Sequence, residues 1–296
     1  MIILQPFPHQ TIWGGDKLKK YCKIPSRNIG HLYSVKGTIK ESNIILNGKY
    51  KGESFYSYFI ENKNKFGLSN LDYYPLTIAL VDAKNDLSIQ VHPDASAAFE
   101  FEGISCGKNE SFYIIESPEK GFIYSGCLCD TKDILRNCLN ERVYDTIWRK
   151  LSVKEGDYIF IKEGMLHSLT AGTLAYEIEE TCDYTYRLYD FDRKDGNGNQ
   201  RPLDIDKAIK SIDLKAESKA RQYNKNEIVE GKYATKLIHN VPHYKNITNQ
   251  LECLTILDGG GYLDTVEIVP GMTIILEPGN SIAGLNVKKA IVARNI

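Results

Sequence analysis

The segment LSIQVHP, residues 87–93, sets Ser88, Gln90 and His92 at alternate positions. In an extended strand alternate side chains point the same way, so these three share one face and Leu87, Ile89 and Val91 share the other. One face of such a strand packs while the other lines something wet, and Gln90 and His92 can both reach one metal ion. The next apolar run opens with a carboxylate, Glu110 of GKNESFYII. A charge entering an apolar strand is costly unless it is paired or binds a cation. His167 follows a third run, just beyond Gly164. Two imidazoles, a carboxylate and an amide oxygen suit zinc or another borderline divalent ion, and leave room for water or substrate.

A second polar stretch, LAYEIEETCDYTYRLYDFDR (174–193), puts Ala175, Glu177 and Glu179 on one strand face, followed by Asp183 and Arg187. Most of its charges read as surface ion pairs. Arg187 differs, because Tyr184, Tyr186, Leu188 and Tyr189 surround it in sequence and can hold a guanidinium rigidly. An arginine fixed beside a metal pocket binds or polarises an oxyanion. His9, His31, His239 and His243 have no comparable setting and are read as structural.

The elements that must carry these residues are mostly short β runs broken by Gly, Pro, Asn and Asp. Strands are expected over Leu76–Val81, Leu87–His92, Glu110–Ile115, Tyr158–Ile161, Leu174–Glu179, Leu251–Leu257, Leu263–Ile268 and Thr273–Leu276. Apolar spacing over Asp133–Leu151 changes phase near Glu141 and predicts two short helices there; Ile205–Ile212 and Ser57–Phe66 are further helical candidates. KEGDYIFIKEG (154–164) and VPGMTIILEPG (269–279) echo one another, each holding a β run between glycines eight positions apart. Two copies of one β fold are therefore expected, and Ile282 stands in the second where His167 stands in the first. The charged stretch Lys215–Lys232 has linker composition. The division that follows is a catalytic domain over 1–225, with a helical segment near 131–151, and a C-terminal domain over 226–296 without the metal site. The fold class is mainly β, of sandwich or jelly-roll barrel type.

Of the 296 residues 42% are apolar and 25% charged, with a net charge of −1. That balance is ordinary for a globular chain and gives no global field favouring nucleic acid or an anionic membrane. The opening MIILQPFPHQTIWGG has no basic leader and is not expected to be a signal peptide, and no run is long enough to span a bilayer. The seven cysteines are odd in number and form no CxxC pair, so all are read as reduced thiols of a cytoplasmic protein. The absence of a Walker or GxGxxG loop argues against a nucleotide.

At these residues the chain resembles the type I phosphomannose isomerases, in particular their short bacterial form. The likeness runs to about residue 215. It includes Ile12-Trp13-Gly14-Gly15, the segment Pro75–Pro93, Gly107-Lys108-Asn109-Glu110, GDYIFIKEGMLHSLTAG (156–172) and TYRLYDFDR (185–193). The resemblance implies a zinc enzyme built from two cupin-like β-barrels with a small helical insertion. It would interconvert mannose 6-phosphate and fructose 6-phosphate through an enediol. It implies one zinc per chain on Gln90, His92, Glu110 and His167, with Arg187 catalytic and Ser88, Lys108, Glu177 and Asp183 contacting substrate. The expected partner is a small sugar phosphate, on a monomer or weak homodimer. The chain departs from the family's Gly-Glu-Ser-Trp-like run, reading Ile29-Gly30-His31-Leu32-Tyr33-Ser34. The same residues also fit another metal-dependent cupin enzyme, an oxygenase or epimerase, or a non-catalytic sugar-phosphate-binding protein.

Overall fold

Both glycine-framed runs become strands in the computed structural model, which describes residues 1–21, 27–223 and 226–296. Asp157–Ile161 lies between Gly156 (φ 87°) and Gly164 (φ 81°), and Thr273–Leu276 between Gly271 (φ 92°) and Gly279 (φ 81°). These angles fall in the left-handed region that a Cβ disfavours, so glycine lets the chain turn sharply at both ends of each strand. The echo in the sequence is thus an echo in backbone conformation. Cys22 and the boundary expected at residue 225 lie outside the described residues.

Two compact units form, one copy of the repeat in each: residues 1–10, 17–80 and 223–296 make the first, and 11–16 and 81–222 the second. The grouping differs from a simple cut near 225. Ile2–Gln5 pairs antiparallel with Thr273–Leu276, Ile3 opposite Ile274, and so joins the N-terminus to the C-terminal strands. Long-range pairing of this kind leaves no mark on local composition. The first unit carries a sheet in the order Ile228–Glu230, Tyr233–Lys245, Ser281–Asn295, Glu252–Leu263, Thr273–Leu276, Ile2–Gln5 and Ile44–Ile45. Ile3, Leu254, Ile256, Ile274 and Ile282 pack together in its core. His31 belongs to this unit, on the strand Ile29–Val35, where its ring stacks on Tyr33 with centroids 5.5 Å apart.

In the second unit one sheet runs Tyr186–Tyr189, Ile89–Val91, His167–Ser168, Phe122–Cys127, Trp148–Ser152. Asp157–Ile161 and Leu174–Glu180 flank Glu110–Glu116 in a separate antiparallel set. Phe112, Ile114, Ala175, Ile159 and Leu169 share one core, while Ile89 and Val91 face another with Leu166, Leu188 and Ile209. The molecule is therefore mainly β, with the expected strands present at their centres except Leu263–Ile268, where Asp264 (φ 53°) and Thr265 turn the chain between Glu252–Leu263 and Val266–Ile268 and Leu263 pairs with Val266.

Three further expectations need correction. The first half of Asp133–Leu151 is the helix Lys132–Asn140, but the second half is no helix. Arg142 takes φ 59°, and Trp148–Ser152 extends to pair with Phe122–Cys127, Leu151 opposite Ile123. The partner strand overrides the apolar spacing. Part of the stretch read as linker is also bound: Arg221–Gln222 adds to the edge of Asp157–Ile161. The other expected helices form, at Phe55–Asn62 continued by Lys63–Phe66 and at Ile205–Ser211, and an unexpected one spans Ala95–Glu102, capped by Asp94.

The third correction concerns the thiols. Cys106 and Cys182, 76 positions apart, are joined by a disulfide, their Cα atoms 5.9 Å apart. Pairing of Glu110–Glu116 with Leu174–Glu180 brings them together, which cysteine spacing alone does not encode. Cys127, Cys129, Cys138 and Cys253 are free. Thiol titration of denatured, unreduced protein should count two fewer thiols than titration after reduction; equal counts would refute the bond. Among the described residues no helix is long and apolar enough to cross a membrane.

Candidate metal centre and active site

Strand register delivers the polar residues to one place. His167 stands directly opposite Gln90 on one side, and Arg187 opposite Gln90 on the other. Glu179 stands opposite Glu110 across the neighbouring pair. Along their strands, Glu110 is followed on the same face by Phe112 and Ile114, and Glu177 and Glu179 are preceded by Ala175. Those apolar residues belong to the core of the unit, so the polar group caps a dry interior.

His92, Glu110 and His167 converge there, all 1–2% exposed. Glu110 Oε1 lies 2.9 Å from His167 Nε2, and Glu110 Oε2 lies 3.2 Å from His92 Nε2. The opposite ring nitrogens are engaged with backbone: His92 Nδ1 is 3.1 Å from the Tyr184 carbonyl and His167 Nδ1 is 3.0 Å from that of Met165. A carbonyl only accepts, so each Nδ1 carries the proton and each Nε2 turns a lone pair inward. Nε2 of His92 and Oε1 of Glu110 are buried without a hydrogen-bond partner. Two lone pairs facing a buried carboxylate repel it unless a cation lies among them. The donor set therefore fits a divalent ion, with the Tyr184 and Met165 carbonyls orienting the ligands from behind.

Burial, with the Lys108 charge next in weight, pushes the His92 pKa down to about 4, so the ring is neutral at neutral pH. The unfolded chain binds a proton on His92 near pH 6.5 and the folded metal-free chain only near 4. Folding thus excludes that proton, and stability falls as pH drops through this window. Metal-free protein should lose roughly 3 kcal/mol of unfolding free energy on acidification across it. His92→Gln should remove that slope in a pH series of denaturant melts; an unchanged slope would assign it elsewhere.

Gln90 reaches the group with its amide, whose nitrogen is 3.3 Å from His167 Nε2 while its oxygen accepts from Ser88 Oγ at 2.9 Å. To serve as a ligand it must exchange the positions of oxygen and nitrogen, which leaves its volume unchanged. Lys108 is buried against Glu179 in an ion pair, with its Nζ 3.7 Å from Glu110 Oε2. Burial opposes its charge, but Glu179, Glu110 and Glu177 together raise its pKa. Glu177 is buried too, with a carboxylate oxygen within 4.8 Å of those of Glu110 and Glu179. Asp183 is exposed on the segment after Glu180 and stands outside this buried group.

Arg187 is half-buried, its Nε has no hydrogen-bond partner, and its guanidinium forms no ion pair among the described residues. Burial and the like charge of Arg201 lower its pKa, yet a guanidinium remains protonated. Its backbone is pinned instead, since its carbonyl accepts from Asp204 N at 2.8 Å. Sequence reasoning missed Glu179 as a member of the site, although its phase with Glu177 was the available signal. It also missed the Tyr184 and Met165 carbonyls, for which no residue-type signal exists.

The catalytic-domain model of type I phosphomannose isomerases matches residues 1–111. The mannose-6-phosphate isomerase ManA of Bacillus subtilis is 33% identical over 214 residues, covering 72% of this chain and 68% of the relative. The chain belongs to the type I phosphomannose isomerases. The mannose-6-phosphate isomerase of Streptococcus mutans is 35% identical over 70% of this chain and 66% of its own length. The chain thus matches about two thirds of the length of these curated relatives. The crystal structure of the Bacillus subtilis mannose 6-phosphate isomerase superposes with a TM-score of 0.85 at 27% identity, covering 100% of this chain and 99% of that one.

Proposed function

We propose that this chain is a zinc-dependent aldose–ketose isomerase that interconverts mannose 6-phosphate and fructose 6-phosphate through an enediol intermediate. The convergence of two imidazole lone pairs on Glu110, each ring held from behind by a backbone carbonyl, carries this reading. Family membership supplies the substrate class.

His92, Glu110 and His167 would hold one zinc, with Gln90 as the fourth donor once its amide oxygen turns inward. Bound zinc supplies Lewis-acid stabilisation of the oxygens at the reacting carbons. Glu177 is the base in this scheme, taking the proton from one carbon and returning it to its neighbour. Its burial beside Glu110, against the exposure of Asp183, favours it. Lys108 and Arg187 place positive charge where the enediolate oxygens develop negative charge. Once the Gln90 amide has exchanged its oxygen and nitrogen, Ser88 Oγ would accept from the amide nitrogen, in place of donating to its oxygen. Asp183 would meet substrate at the outer edge of the site. Two cupin-like barrels, the second without ligands because Ile282 replaces histidine, complete the architecture we propose. We expect a monomer or weak homodimer in the cytoplasm. A coupled assay of mannose 6-phosphate conversion, run with metal analysis on the same sample, tests the reading. Tight binding of the sugar phosphate without turnover by zinc-loaded protein would identify a binding protein instead.

A further inference from the structure

Two buried carboxylates stand directly opposite one another, Glu110 on one strand and Glu179 on the next, with Glu177 on the same face. Like charges in cross-strand register repel. Lys108, two positions before Glu110 in the irregular segment that leads into the strand, sends its ammonium to both carboxylates. Its ammonium is in contact with Glu179 but 3.7 Å from Glu110 Oε2. Three carboxylates and one ammonium sum to −2, the charge that a single divalent cation cancels. A buried group left with net charge is costly, so metal affinity should follow this balance.

We propose that Glu179 is a positioning residue for the metal centre: it holds the Lys108 ammonium off the Glu110 ligand oxygens and supplies the charge that matches the group to a divalent ion. This rests on the metal reading above. Without Glu179, Lys108 has Glu110 as its nearest remaining anion, and it then competes with the metal for the same carboxylate. Glu179 touches neither metal nor substrate in this scheme and acts through Lys108.

The test is zinc affinity of the full chain, measured by competition with a chelating dye. Glu179→Gln keeps the shape of the side chain and should raise the zinc dissociation constant about 10–100-fold, the usual range for a residue supporting a ligand. Adding Lys108→Met to Glu179→Gln removes the competitor and restores a net charge of −2. The double variant should return to near the wild-type affinity, which a merely structural role for Glu179 would not produce. Wild-type affinity in Glu179→Gln, or a double variant as weak as or weaker than the single one, overturns the proposal. If Glu179→Gln fails to fold, the double variant alone decides: near wild-type affinity supports the proposal, and a loss of tens-fold refutes it. His92→Ala separates the two readings. If it holds zinc as well as wild type, the metal centre itself is wrong; if it loses zinc while Glu179→Gln does not, only the role of Glu179 is.

Discussion

Protein stripped of metal by a chelator, and verified free of it, should lose mannose 6-phosphate isomerisation almost completely and recover it on addition of zinc. The expected drop is about 10³-fold or more, because a bound divalent ion contributes several kcal/mol to stabilising charge on substrate oxygens. Little else in the site can replace it. The Lys108 charge is shared with Glu179 and Glu110, and His92 stays neutral to about pH 4. His167→Ala should reproduce the loss and lower zinc content as well, since His167 faces Glu110 at 2.9 Å and supplies one of the two imidazole donors of the group. Full activity in metal-free protein would falsify the scheme. Activity restored by a different divalent ion and not by zinc would revise only the identity of the metal.

Arg187→Ala should lower kcat by about 10²–10³-fold, the usual cost of removing one preorganised donor from a developing oxyanion. Zinc content should remain at the wild-type level, because Arg187 is a neighbour of Gln90 and not a ligand. The main chain of Arg187 is fixed through Asp204, and its Nε is buried without a partner, which supports this role. An arginine held for stability alone would be expected to face a carboxylate. Arg187→Lys keeps the charge but loses the planar fork, and should recover only part of the rate. Wild-type kcat in Arg187→Ala would make the residue structural, and loss of zinc in that variant would move it into the metal's support.

How far the sequence reaches differs from element to element. Alternation in LSIQVHP correctly put Ile89 and Val91 in a core and His92 on the polar side, because a strand's two faces follow from its backbone geometry. The glycine echo was legible for the same reason: left-handed φ at Gly156, Gly164, Gly271 and Gly279 is a local requirement that residue type satisfies. Trp148–Ser152 was misread, since its side-chain spacing suits a helix and only the edge of Phe122–Cys127 makes it a strand. The bond between Cys106 and Cys182 was missed because it depends on pairing between segments 76 positions apart.

The sequence by itself determined the donor types of the candidate metal site, the strands that carry them, and the absence of a histidine from the second copy at Ile282. Those are properties of side-chain chemistry and backbone period, which act over a few residues. Tertiary structure alone decided that His92, Glu110 and His167 meet, that their outer nitrogens find the Tyr184 and Met165 carbonyls, and that Glu179 captures Lys108 beside Glu110. Those outcomes rest on strand register, and register is fixed by which faces bury together across the whole unit.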